Sequence, residues 1–95
     1  MAVGDVKSGI SSISAGEYLD IRPPSGEEWV IHNIYHQDDV EVYFTDGTNS
    51  IKIITRKDNG VIPFTCFHVT NSYWIKVKNS TSSSALIGYD GVQTK

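Results

Sequence analysis

The sequence predicts an all-β domain, a single small β-sandwich of jelly-roll-like character with seven to eight short antiparallel strands. Three observations lead there. Apolar and polar residues alternate over segments of roughly 4–8 residues, the period of two that a half-buried strand requires. Clusters of Gly, Pro, Asn, Asp and Ser separate those segments at roughly 8–12-residue spacing. No stretch sustains the period of about 3.6 that marks an amphipathic helix. The chain has 95 residues and no internal repeat, which fits one domain. Its single cysteine rules out the paired-cysteine pattern of immunoglobulin domains.

Taken in order, residues 1–16 are rich in Gly, Ser and Ala and read as a mobile N-terminal arm with one short strand around Ile10 to Ile13. The β-sandwich domain then occupies residues 17–95. "EYLDIR" (17–22) alternates and is stopped by Pro23-Pro24-Ser25-Gly26, because proline supplies no N–H and glycine permits a positive φ. "EEWVIHNIYH" (27–36) follows and ends at Gln37-Asp38-Asp39. Alternation places Trp29, Ile31, Asn33 and Tyr35 on one face and Val30, His32, Ile34 and His36 on the other. "VEVYF" (40–44) sets Val40, Val42 and Phe44 against Glu41 and Tyr43, and Asp46-Gly47 signals a hairpin of type I′. "SIKIITR" (50–56) runs to a turn at Lys57-Asp58-Asn59-Gly60, and "VIPFTCFHVT" (61–70) is one nearly continuous apolar strand. "YWIKVKN" (73–79) points Lys76 and Lys78 outward, a serine run (80–84) forms a loop, and "ALIGYDGVQ" (85–93) closes the chain.

Composition narrows the function classes. Hydrophobic content of 39% and charged content of 20% describe a globular chain. The net charge of −3 comes without any basic block, which argues against a nucleic-acid partner. No apolar run approaches the roughly 20 residues of a membrane span, and the N-terminus lacks signal-peptide character, so the expectation is folding in a reducing cytoplasm with no membrane partner. Asn79-Ser80-Thr81 matches a glycosylation sequon.

Little in the chain carries chemistry. His32 and His36 are about 13 Å apart on a regular strand, too far to share a metal, although His68 with Asp38 and Asp39 leaves a composite site conceivable. Cys66 and His68 share a face at about 7 Å without an oxyanion-forming turn, so Cys66 reads as a buried structural thiol. Glu27-Glu28 and Asp38-Asp39 sit beside turns and point to opposite faces. No nucleophile elbow or phosphate loop is present. The expectation is a non-enzyme without cofactor or metal. Trp29 belongs to the core, and the aromatic residues Tyr35, Tyr43, Trp74 and Tyr89 are the candidate interface, with Tyr43 the foremost outward residue. The same rings would also stack on sugars, so a carbohydrate- or receptor-binding module of a phage tail or bacterial protein is the alternative.

Two segments resemble the small β-sandwich proteins found on tailed-bacteriophage virions. They are "GEYLDIRPPSGEEWVIHNIY", a strand, a Pro-Gly-Glu turn and a Trp-Ile strand, and "YWIKVKNSTSSSALIGYDGVQ", a final hairpin with a serine-rich loop. The resemblance implies a structural virion protein, foremost a capsid decoration (cement) protein that stabilises the head shell by surface complementarity. It implies a homo-oligomer, favouring a trimer, with the major capsid protein or another virion protein as partner and assembly in a host cytoplasm. It carries no catalytic or binding residues across. The N-terminal arm would then order on a partner by adding a strand to a sheet edge.

Overall fold

The computed structural model describes residues 3–95. Nine strands are present, with no helix among the described residues: β1 (Val6–Ile13), β2 (Tyr18–Ile21), β3 (Glu28–His36), β4 (Val40–Thr45), β5 (Ser50–Arg56), β6 (Gly60–Ile62), β7 (Phe67–Thr70), β8 (Trp74–Asn79) and β9 (Ala85–Gln93). They form two antiparallel sheets. The first has the order β1-β9-β3, with β6 and β7 lying end to end along the far side of β3; the second has the order β2-β8-β4-β5. Counting β6 and β7 as one ribbon, first pairs with last, second with second-last, third with third-last, and the middle two with each other. A long hairpin rolled on itself in this way is a jelly roll, and the fold is a β-sandwich.

The strand count exceeds the predicted seven to eight because the 61–70 run is broken. Pro63 supplies no N–H to the ladder, and Phe64 takes a left-handed backbone at φ 58°. That conformation costs a residue with a Cβ about 1–2 kcal/mol. The segment counted as a mobile arm also needs correction. β1 pairs with β9 over its full length, from Val6 opposite Val92 to Ile13 opposite Ala85, so it is an edge strand of the first sheet. Gly4 N–H donates to the Gln93 carbonyl at 2.7 Å, extending the pairing toward the chain start. Residues 1 and 2 lie outside the described residues.

The face assignment of β3 is corrected by a bulge. Its register against β9 shifts between Ile31 and Asn33, making His32 the extra residue. Trp29 and Ile31 point to the core before the bulge, Ile34 and His36 after it, and Tyr35 turns outward. His32 and His36 therefore do not share a face. His36 is buried, and its Nδ1–H donates to the carbonyls of Asp38 and Asp58 at 3.1 and 2.9 Å, tying the β3–β4 and β5–β6 turns together. Gly91 stands opposite the bulge. A Cβ there would collide with the Val30 carbonyl oxygen.

Between the sheets, Ile21, Ile31, Ile34, Ile75, Ile87, Val40, Val42, Val69 and Val77 are sealed from solvent. Each contributes about 1.5–3 kcal/mol by burial. Trp29 belongs to this core as expected, stacked on Tyr89 with ring centres 6.3 Å apart. Asn79 is fully buried at the end of β8: its Nδ2 donates to the Ile13 and Ser83 carbonyls, and its Oδ1 accepts from Thr81 N–H and Oγ1–H. A glycan on that nitrogen is incompatible with this folded state, so the sequon is a loop clamp. The β4–β5 hairpin is also not of type I′. Only Gly47 has positive φ there, and Asp46 closes a four-residue loop by accepting from Thr48 and Asn49 N–H at 2.8 and 2.7 Å.

Two substitutions test these devices. Gly91→Ala forces the β3 and β9 backbones apart and lowers stability by about 2–3 kcal/mol. Asn79→Ala removes the side-chain bonds to Ile13, Thr81 and Ser83 and costs a similar amount, whereas Ser82→Ala in the same loop stays within about 0.5 kcal/mol. Denaturant midpoints at unchanged slope are the measurement.

Candidate functional site

The four expected interface residues do not converge. Tyr35 lies on the outer face of the first sheet and is exposed. Tyr43 and Trp74 lie on the outer face of the second sheet, opposite the core-facing Val42, Phe44 and Ile75. Trp74 is nonetheless buried, because the Arg22 guanidinium covers its ring at 4.0 Å and its Nε1–H donates to Asp20 at 3.1 Å. Tyr89 faces inward against Trp29 and is half-buried; burial pushes its hydroxyl pKa up.

The outer face of the second sheet is charged but internally satisfied. The Lys76 ammonium sits 4.4 Å from the centre of the Tyr18 ring and 5.9 Å from that of Tyr43, and the two rings meet edge to face at 5.8 Å. Tyr43 donates its hydroxyl to Glu41 at 2.6 Å, and Glu41 pairs with Lys52 at 3.7 Å. That hydroxyl bond, then the nearby Lys52, holds the Glu41 carboxyl below its ordinary value of 4.5. The same bond, with burial and the carboxylate charge, pushes Tyr43 up to about 12.

The outer face of the first sheet carries an apolar patch instead. Val6 and Ile10 project from β1 at 73% and 70% exposure, joined by Leu86 on β9, Tyr35 on β3 and Val61 on β6. Ile10, Gly88, Tyr35 and Val61 form one cross-strand row. Gly88 has no side chain to fill its place in that row, and a shallow depression of about 230 Å³ opens beside it between Ile10, Tyr35 and Leu86. Asp90 is the acid at the centre of the face. It accepts from Asn33 Nδ2–H at 2.8 Å and from the Tyr35 hydroxyl, which raises the tyrosine's pKa.

A third surface lies where the two sheets part, along their β5 and β7 edges. An apolar crevice of about 280 Å³ is lined there by Phe44, Ile51, Ile53, Phe67 and Ile75, with Cys66 and His68 on the β7 side. Cys66 is exposed, not the buried thiol expected, because the chain has left the strand after Pro63 and re-enters only at Phe67. β5 is a free edge almost bare of cover, bulged between Lys52 and Ile54. Sequence reasoning missed this surface along with Ile10, Leu86, Ile51, Ile53 and Phe64. The one available signal was a proline inside a run assigned to a strand.

The acid pairs serve turns. Asp39 accepts from Asp58 N–H at 2.7 Å, which with Lys57 beside it lowers its pKa. Glu27 accepts from Trp29 Nε1–H at 3.0 Å, and Glu28 lies 3.9 Å from the Lys95 ammonium. Among the described residues, no cluster of three or more His, Cys, Asp or Glu is arranged to hold a metal ion. No protein-family model and no curated protein matches the chain.

The Tyr43–Glu41 bond sets opposite pH limits. Glu41's contribution is complete above 4.5 and is lost as pH falls through its depressed folded value. Tyr43's contribution is complete below 10 and is lost as pH rises through about 12. Near-ultraviolet titration should resolve one tyrosine ionising near pH 12. Tyr43→Phe removes that step, and Glu41→Gln moves it back toward the ordinary tyrosine value.

Proposed function

We propose that this chain is a structural virion protein of the capsid-decorating kind, self-associating and held on a protein shell by surface complementarity. The observation that carries the reading is the contrast between the two outer faces. One is charged and already paired within itself. The other presents Ile10, Leu86, Tyr35 and Val61 to solvent as an apolar patch, with Val6 set beyond the Ser8–Asp90–Asn33 row. An apolar sheet face of this kind marks a protein contact rather than a solvated wall. Its central acid, Asp90, has both oxygens satisfied by Asn33 and Tyr35, and its remaining charge is one that a docking partner would match. The resemblance of the 16–35 and 73–93 segments to tailed-phage virion proteins supplies the kind of shell, and with it the preference for a trimer. Symmetric repetition multiplies a modest contact into firm attachment.

The alternative of a sugar-binding module draws on exposed rings. Trp74 is closed off by Arg22, the Tyr18 ring carries Lys76 and Tyr73 stacks on Phe44, so the open rings, Tyr35 and Phe64, lie on different parts of the surface. The apolar face favours the shell.

The test is binding to particles of the virus whose genome carries the chain, stripped of the protein and then re-supplied. Wild type should return to the particle surface with little dependence on salt. Leu86→Asp and Ile10→Asp should fold normally and lose binding by at least tenfold. Retained binding in both variants would remove the first sheet's outer face from the reading. Binding of wild type to a glycan array, with none to particles, would put the sugar module in its place.

A further inference from the structure

We infer that Phe64 of one copy of this chain seats in the crevice between β5 and β7 of a second copy. This rests on the self-associating part of the reading above and is independent of the shell.

The knob is unusual on two counts. Phe64 is 93% exposed, above every other large apolar residue described, and its backbone is left-handed at φ 58°. Bulky residues seldom adopt that conformation. The loop is also well anchored. Pro63 limits the chain on one side, and on the other the buried Thr65 donates its N–H to the His32 carbonyl at 2.9 Å and its hydroxyl to the Ile31 carbonyl. The ring is thus presented from a fixed base, which reduces the ordering cost of a contact.

The hole lies on the same edge. The crevice holds about 280 Å³ between Phe44, Ile51, Ile53, Phe67 and Ile75. An apolar cavity of about 150 Å³ is enough to take benzene, so a phenyl ring fits with room for its approach. The copy's own Phe64 does not occupy it. Only Thr65 separates Phe64 from Cys66, which lines the crevice, so knob and hole are neighbours. Two copies facing each other across a two-fold axis fill both holes at once; in a three-membered ring each copy fills the next. The bulge in β5 and the adjacent Lys52 oppose simple strand-to-strand addition at this edge, which leaves side-chain insertion as the mode of contact.

Cys66 is the only cysteine and lines the hole, so its reactivity reports occupancy. The experiment measures its labelling rate by a maleimide across protein concentrations, with mass by light scattering on the same samples. In wild type the rate should fall at least tenfold as the mass rises to a closed dimer or trimer. Phe64→Ala and Ile53→Asp should both stay monomeric and label at the fast rate at every concentration, with Phe64→Ala retaining the wild-type circular dichroism. A wild-type monomer with concentration-independent labelling overturns the inference. So does an oligomer that survives Phe64→Ala with Cys66 still protected. Protection seen only after virus particles are added assigns the crevice to a shell protein and overturns the second copy as its occupant. Loss of particle binding with the labelling pattern intact would instead count against the shell reading alone.

Discussion

One extra residue in β3 governs much of this molecule. A strand alternates strictly, so a nine-residue strand without interruption would keep Trp29, Ile31, Asn33 and Tyr35 on one face. The bulge at His32 resets the phase, which sends Ile34 and His36 into the core and leaves Tyr35 outside. The Ile31 and His32 carbonyls beside it need donors, and Thr65 supplies them from the loop that separates β6 from β7. The same irregularity demands a glycine on the neighbouring strand, where Gly91 lies against the Val30 carbonyl. The broken fourth ribbon, the anchored Phe64 loop and the outward Tyr35 are linked by this one local displacement.

The two sheets meet solvent on different terms. On the second, cations cover aromatic rings and acids tie down hydroxyls, so the face is complete in itself. On the first, small and aliphatic residues stand beside Asp90, whose oxygens accept from its neighbours. Charge on a surface is costly to bury against a partner unless it is matched. The first face carries that cost chiefly at Asp90, the second over most of its surface. A protein that works by attachment gains from such division, because one face stays hydrated while the other is covered.

The fold class was legible in the sequence because it depends on period, and period survives without coordinates. Val40, Val42, Ile75 and Val77 alternate cleanly and are buried as read. What escaped were features that depend on a partner strand. A bulge is a relation between β3 and β9 and leaves no mark in the alternation of "EEWVIHNIYH" itself. Cys66 and Phe64 were misplaced because "VIPFTCFHVT" is apolar throughout, and an apolar run does not disclose where hydrogen bonding stops; Pro63 was the only local sign. Trp74 was expected outside and does lie on an outer face, but Arg22 comes from a segment 52 residues earlier to cover it. β1 was underestimated because its Gly and Ser composition suits an arm as well as an edge strand, and only β9 decides between them.

The pairing of β1 with β9 has a topological consequence. The two ends of the chain run antiparallel and adjacent, with Gly4 bonded to Gln93 and the C-terminal Lys95 bonded through its backbone to Glu28. From Gly4 to Gln93 the backbone is close to a closed circuit. The break could be moved to the exposed serine loop at 80–84 and the present ends joined by a short linker without altering the strand order. Gly4 and Gln93 lie side by side, so segments running on from β1 and from β9 leave the molecule close together.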